Sequence, residues 1–214
     1  RYTDVYINDA FGASHRAHAS IVGIPKLAPN HGIGFLVKKE IEMLDKLLHQ
    51  PAHPFVAVLG GSKVSDKIDV IRNLISKVDA FVIGGAMAYT FLAAKGQKVG
   101  KSIVEKDRIH FARDLMNKFE ALNKSIWLPV DHVTVPRFDA KDKITITSGS
   151  DILENAMAVD IGPKTRKVFA EVLKQAKTVF WNGPMGVFET PEYAEGTFYV
   201  AKTLAESHAF TIVG

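Results

Sequence analysis

One unit recurs along this chain: an apolar run, then a turn rich in glycine, then a stretch with helical spacing. The sharpest copy is Phe55-Val56-Ala57-Val58-Leu59, then Gly60-Gly61-Ser62-Lys63-Val64-Ser65-Asp66-Lys67, then an amphipathic stretch through Ile68, Val70, Ile71, Leu74 and Ile75. Phe81-Val82-Ile83 running into Gly84-Gly85 and Ala86-Met87-Ala88-Tyr89 is a second, and Thr178-Val179-Phe180-Trp181 running into Asn182-Gly183-Pro184-Met185-Gly186 a third. Phe210-Thr211-Ile212-Val213-Gly214 reads as the start of a fourth. Apolar runs of this length suit strands buried on both faces, and their alternation with helices implies a parallel sheet. In such sheets a ligand binds beyond the carboxyl ends of the strands. Here those ends carry glycine, which lets backbone N–H groups come close, and each following helix points a positive N-terminus at the same place. The expected ligand carries phosphate and is held by several loops.

The helical spacing predicts helices near 65–77, 86–95, 105–122, 164–176 and 191–207. Ile126-Trp127-Leu128 and Ala156–Ile161 read as further strands, and 131–150 as a small β excursion around Ile144-Thr145-Ile146. The first 36 residues read differently. Asp4-Val5-Tyr6-Ile7 is a short strand, Asn8-Asp9-Ala10-Phe11-Gly12 a turn, and Pro25 and Pro29 punctuate a loop reaching Gly32 and Gly34. Leu36, Val37, Ile41, Leu44, Leu47 and Leu48 then mark a helix over 35–50, closed by Pro51 and Pro54. A domain boundary belongs there, with the main α/β domain from about residue 51 onward.

Composition narrows the function classes. A net charge of +4 in 214 residues, without a lysine-arginine run, points away from nucleic acid and weakly toward small anions. The absence of cysteine excludes disulfides and thiolate catalysis. No stretch has transmembrane length and none reads as a signal peptide, so the default expectation is a cytoplasmic protein with no membrane partner.

Lys63 and Lys67 are the best-marked pair. Four residues apart at a predicted helix start, they share one face, where each cation opposes the helix dipole by roughly 0.3–1 kcal/mol. A bound polyphosphate would compensate; alternatively both are solvated and Asp66 offsets the cost. The loop is not a Walker motif, because it lacks the four-residue gap and the Gly-Lys-Ser/Thr ending. Gly32-Ile33-Gly34 has no third glycine at the dinucleotide-binding offset, which disfavours a nicotinamide-dependent oxidoreductase. His15 and His18 show no third metal ligand, and packing or hydrogen-bonding roles suit them better. Arg16 after a turn suits a bidentate clamp on phosphate or carboxylate, or else a plain surface position. Glu189 suits ribose hydroxyls or a metal-bound water, or else a helix-start carboxylate.

Taken together, these segments resemble phosphoglycerate kinases. Asn8–Gly12 running into His15-Arg16-Ala17-His18 is similar to the family signature before its interdomain helix. Gly60–Lys67, Gly84-Gly85-Ala86-Met87-Ala88 and Trp181–Glu189 resemble its nucleotide-domain motifs, in family order across essentially the whole chain. The resemblance implies a Rossmann-like three-layer fold, a parallel sheet with helices on both faces, plus a remnant of a second α/β domain. It divides the chain into 1–36, the remnant of a phosphoglycerate-binding domain; 37–50, the interdomain helix; and 51–214, the nucleotide-binding domain, truncated at its end. It implies a monomeric, hinge-bending glycolytic kinase that moves a phosphoryl group between 1,3-bisphosphoglycerate and Mg-ADP, giving 3-phosphoglycerate and Mg-ATP. Arg16 is then expected on the phosphoglycerate, Lys63 on the transferring phosphoryl group as the catalytic lysine, and Lys67 on the nucleotide phosphates. Gly61 joins the nucleotide contacts. Gly84, Gly85, Pro184 and Met185 are expected to wall the adenine, with Ala158 and Val159 nearby, and Asn182 and Glu189 to serve the phosphate and ribose ends. The chain is about half the family length, so it reads as an interior fragment. The Mg2+-binding aspartate is expected after Gly214, and turnover by the fragment alone is expected to be negligible. The competing expectations are a nucleotide-binding α/β enzyme of another class, such as an NAD-dependent oxidoreductase, and a non-catalytic module that kept the fold.

Overall fold

Strand and helix alternate through residues 3–214, which are those the computed structural model describes. The chain divides into two units, one ending at Pro51 and the other running from Ala52 to Gly214. In the first, β1 (Tyr6–Asn8) leads to a 3-10 turn, Phe11–Ala13, and a π-helical turn, Ala19–Gly23, runs into the short helix α1 (Ile24–Leu27). β2 (His31–Ile33) pairs parallel with β1, and α2 (Phe35–His49) follows. The stretch expected to be a loop up to Gly34 therefore contains a helical segment and a strand. Pro25 is compatible with the helix because it sits in the first turn, where an N–H has no intrahelical partner. The strand is too short for its period to show. The Asn-Asp pair works as its chemistry suggests: Asn8 Oδ1 accepts the Ala10 N–H at 2.8 Å, and Asp9 Oδ1 accepts the Val37 N–H at 2.9 Å. Asp9 thus caps the start of α2 from a distant loop.

In the second unit, β3 (Phe55–Leu59) is buried at every position and leads through a 3-10 turn, Ser65–Lys67, to α3 (Ile68–Leu74). β4 (Ala80–Ile83), α4 (Met87–Ala94), the 3-10 turn Lys106–Arg108, α5 (Ile109–Ala121) and β5 (Ser125–Trp127) follow. Then come β6 (His132–Val135), β7 (Thr145–Ile146), β8 (Met157–Ile161), α6 (Pro163–Gln175), β9 (Thr178–Asn182), α7 (Glu195–Ala205) and β10 (Phe210–Val213). The main sheet is parallel, in the order β10-β9-β3-β4-β5. Val56, Val58, Val82, Val179 and Trp181 present one face to Phe169 and Leu173 of α6 and Val200 and Leu204 of α7. On β4, Phe81 meets Phe119 of α5 with ring centroids 4.8 Å apart, so helices cover both faces. Side chains of this size contribute about 1.5–3 kcal/mol each when fully buried. β6, β7 and β8 form a separate antiparallel sheet in the order β7-β6-β8. No helix among the described residues is long and apolar enough to cross a membrane.

Remote carboxylates cap the helices here too. Asp131, fully buried, accepts the N–H groups of Lys164 and Thr165 and the Thr165 hydroxyl at 2.7–2.9 Å, closing the start of α6. Asp160 accepts the Gly196 N–H at 2.5 Å in the first turn of α7. Asp131→Ala leaves the N–H groups of Lys164 and Thr165 without their acceptor, while the Thr165 hydroxyl keeps the residue 131 carbonyl, and is expected to cost about 2–3 kcal/mol, read as a lower midpoint in urea unfolding. An unchanged midpoint would contradict this account of α6.

Candidate functional site

The chain order of the main sheet reverses beside β3. It runs outward through β4 to β5, then returns to β9 on the other side of β3. A crevice is expected at such a reversal, beyond the carboxyl ends of the strands. Three loops meet there. Gly60 N–H donates to the Asn182 carbonyl at 3.0 Å, Gly61 N–H to the Pro184 carbonyl at 2.9 Å, and Gly85 N–H to the Met185 carbonyl at 3.0 Å. Met87 N–H donates to the Gly61 carbonyl at 3.0 Å. The N–H groups of Gly60, Gly61 and Gly85, which sequence reasoning aimed at a ligand, are spent on joining the loops to one another. Backbone donors packed this closely are satisfied by the nearest carbonyls. Gly85 shows how close the loops come: its φ is +64°, and a Cβ there would lie 2.5 Å from the Gly61 nitrogen.

The joined loops wall a cavity of about 360 Å³. Gly61, Gly85, Pro184, Met185, Ala158, Val159 and Glu189 line it, all of them expected from the sequence. Gly84 lies behind the wall, where a Cβ would collide with the Met185 thioether. β8 is held against the cavity by two bonds: Ala158 N–H donates to Ser102 Oγ at 3.0 Å, and Val187 N–H to the Val159 carbonyl at 2.9 Å. Ser62, Ala86, Tyr89, Ile103, Phe138, Met157, Gly186 and Val187 also line it. Sequence reasoning missed these. Ser62, Ala86, Tyr89, Gly186 and Val187 lie within motifs already singled out, and their proximity was the available signal. Ile103 and Phe138 come from irregular segments, where only an apolar residue among polar neighbours marked them. Both remain half exposed.

The electrostatics are uneven. Burial holds the Tyr89 phenol well above its ordinary value, and the nearby Asp160 carboxylate adds to that. Asp160 is itself buried, which pushes its carboxyl up to about 7 despite N–H groups from Gly196 and Ile161 and the Arg166 charge. Polar groups at the cavity are few, and Glu189 is the acidic one among the lining residues. This combination suits a flat, mostly apolar ring system with a hydroxylated portion beside a carboxylate.

The two lysines are placed differently from expectation. Lys63 lies in the irregular loop and is exposed, whereas Lys67 closes the 3-10 turn Ser65–Lys67. They do not share a regular helix face, because the α-helix begins only at Ile68. The start of the 3-10 turn that leads into that helix is already served: the Glu105 carboxylate accepts the N–H groups of Val64 and Ser65. The dipole argument for an anion there is therefore answered by a protein carboxylate. Lys67 Nζ donates to Asn182 Oδ1, which joins the lysine loop to the end of β9 and brings two expected site residues together. Arg16 lies in the first unit, exposed, its Nε 3.3 Å from His15 Nε2. Among the described residues, no group of three or more His, Cys, Asp or Glu side chains is gathered as a metal ion would require.

Comparison with known proteins bears on family and fold. The family profile "Phosphoglycerate kinase" matches residues 1–214. The chain is 54% identical over 213 residues to phosphoglycerate kinase of Bdellovibrio bacteriovorus, covering 100% of this chain and 53% of that protein. It is 49% identical over 211 residues to the Clostridium novyi protein of the same name, covering 99% and 53%. Among solved structures, phosphoglycerate kinase from Coxiella burnetii superposes with a TM-score of 0.90 at 39% identity, covering 99% of this chain and 54% of that one. The enzyme from Pyrococcus horikoshii OT3 gives 0.86 at 34% identity, covering 99% and 53%. The chain thus spans about half the length of the curated relatives it matches. The nicotinamide-dependent alternative is not favoured.

Proposed function

Since the chain belongs to the phosphoglycerate kinase family, we propose that it carries the nucleotide half of a glycolytic phosphoryl-transfer enzyme. The whole protein would move the acyl phosphate of 1,3-bisphosphoglycerate to ADP. A β-phosphate oxygen of ADP forms the new bond to phosphorus, the bond to the acyl oxygen breaks, and 3-phosphoglycerate leaves as a carboxylate. Such transfers need positioning and charge stabilisation rather than covalent chemistry from the protein.

The observation that carries this reading is the apolar cavity at the sheet reversal, with Lys67 fixed by Asn182 at the end of β9. In it, adenine enters the cavity between Gly85, Pro184 and Met185 on one side and Ala158 and Val159 on the other. Glu189 accepts from the ribose hydroxyls. Lys67 meets the nucleotide phosphates and Lys63 the phosphoryl group in transit, with Gly61 and Asn182 closing the phosphate end. Arg16 takes the phosphoglycerate. Magnesium bound with the nucleotide would neutralise phosphate charge; the described residues form no cluster of three or more His, Cys, Asp or Glu side chains to hold it. The reading keeps 1–36 as part of a phosphoglycerate-binding domain, 37–50 as the connecting helix and 51–214 as the nucleotide domain, in a cytoplasmic monomer acting on small molecules.

Calorimetric titration with Mg-ADP and with NAD tests it. ADP is expected to bind in preference to NAD, and Lys67→Ala to weaken ADP about 10- to 100-fold, the value of one charge-assisted contact. Preference for NAD, or indifference to Lys67→Ala, would overturn the assignment.

A further inference from the structure

Glu105 lies outside the cavity lining, yet it is bonded to the loop that carries both lysines. Its carboxylate accepts the Val64 N–H, the Ser65 N–H at 3.1 Å and the Ser65 hydroxyl at 2.6 Å. These groups sit between Lys63 and Lys67. Its own N–H donates to Thr90 Oγ1 at 3.1 Å, on the buried face of α4. Two residues earlier, Ile103 lines the cavity, and Ser102 Oγ receives the N–H of Ala158, another lining residue. Residues 102–105 therefore form a strap. One end is fastened to the cavity wall, its backbone is bonded to α4, and its carboxylate grips the lysine loop. Burial pushes the Glu105 carboxyl up, but the Ser65 and Val64 donors outweigh it, so the group stays ionised well below neutrality.

The two ends of the lysine loop are held elsewhere, Gly61 by Pro184 and Met87 and the Lys67 side chain by Asn182. The Val64 side chain is buried, and the Lys67 N–H donates to the Val64 carbonyl at 2.9 Å. These seat the loop against the core but leave the Val64 and Ser65 N–H groups to Glu105. Without that carboxylate, two backbone N–H groups and one hydroxyl of the turn that sets the direction of Lys63 lose their acceptor.

We propose that Glu105 is a positioning residue: it clamps Val64 and Ser65 so that Lys63 and Lys67 are presented together to a polyphosphate while the base occupies the cavity beside Ile103. Glu105 touches no ligand in this arrangement. The proposal rests on the nucleotide reading above.

Calorimetric titration of the chain with adenosine and with Mg-ADP separates the two ideas. Wild type is expected to bind ADP at least tenfold more tightly than adenosine, because only ADP reaches the lysines. Absence of that preference overturns the nucleotide reading and this proposal with it. Given the preference, Glu105→Ala is expected to reduce it about tenfold through the ADP side alone, with adenosine affinity within about twofold. Glu105→Gln keeps one acceptor oxygen and Ser65→Ala removes one donor, so each is expected to reduce the preference about threefold. A preference unchanged in Glu105→Gln and Ser65→Ala, or adenosine and ADP weakened equally, overturns the positioning role and leaves the nucleotide reading standing. These two variants decide the matter should Glu105→Ala unfold.

Discussion

Gly85→Ala is expected to lower the stability of the second unit by about 2–5 kcal/mol and to abolish measurable ADP binding. Two costs combine. A φ of +64° places an L-residue in the left-handed region, and the new Cβ would lie 2.5 Å from the Gly61 nitrogen, 2.6 Å from the Gly61 oxygen and 2.9 Å from the Pro184 oxygen. All three are backbone atoms of the neighbouring loops, so no side chain can rotate away. The loops must separate, which breaks the Gly85 N–H bond to Met185 and the Met87 N–H bond to Gly61 and opens the cavity wall. Gly61→Ala is the control: its φ is +100°, but nothing lies within 4 Å of a Cβ there. It should cost only the left-handed strain, about 1–2 kcal/mol. Melting curves should fall roughly 5–15 °C for the first variant and about half of that for the second. Equal shifts would mean that contact between the loops contributes little.

Stability between pH 5 and 6 is expected to be nearly flat in the wild type and to tilt in opposite directions in two variants. Burial pushes the Asp160 carboxyl up to about 7 from an ordinary 3.8. Folding therefore takes up a proton between those values, and this contribution, fully present below 3.8, is lost as pH rises through about 7. Burial pushes the His132 imidazole down to about 4 from 6.5, against the Ser150 carbonyl and the Asp131 carboxylate, which favour its proton. Folding releases that proton, so the histidine contribution is present above 6.5 and lost as pH falls through about 4. In the overlap each group contributes about 1.4 kcal/mol per pH unit with opposite sign. Asp160→Asn removes the falling term, so its stability should rise with pH. His132→Gln should show the reverse. Parallel slopes in urea midpoints for wild type and Asp160→Asn would rule out proton uptake at Asp160.

Asp160 also shows where sequence reading stopped. Its position at the end of an apolar run marked a strand, and nothing in that run marked a buried carboxylate wedged where Cβ atoms on Gly186 or Gly196 would collide with it. Glu105 and Asp131 are the same kind of residue: acidic, distant in sequence from the 3-10 turn and the helix whose starts they cap, and ordinary in their own neighbourhoods. Local spacing reveals an N-cap residue within its own helix. It carries no trace of a cap delivered from elsewhere in the chain.

What the sequence determined by itself was whatever depends on short-range chemistry. The buried runs of β3, β4 and β9 announce a parallel sheet because their apolar residues are continuous, and the glycine turns after them announce where strands end. The order of those motifs was enough to point to the family and to seven of the fifteen residues that line the cavity. Tertiary structure alone decided how the glycine N–H groups are used, because their acceptors lie on loops more than 100 residues away in the case of Gly60 and Asn182. It also decided that Lys63 and Lys67 are placed by a turn and by Asn182 rather than by one helix face. Ile103 and Phe138 reach the cavity for the same reason. Proximity in space is created by burying distant apolar segments together, and no window along the chain contains it.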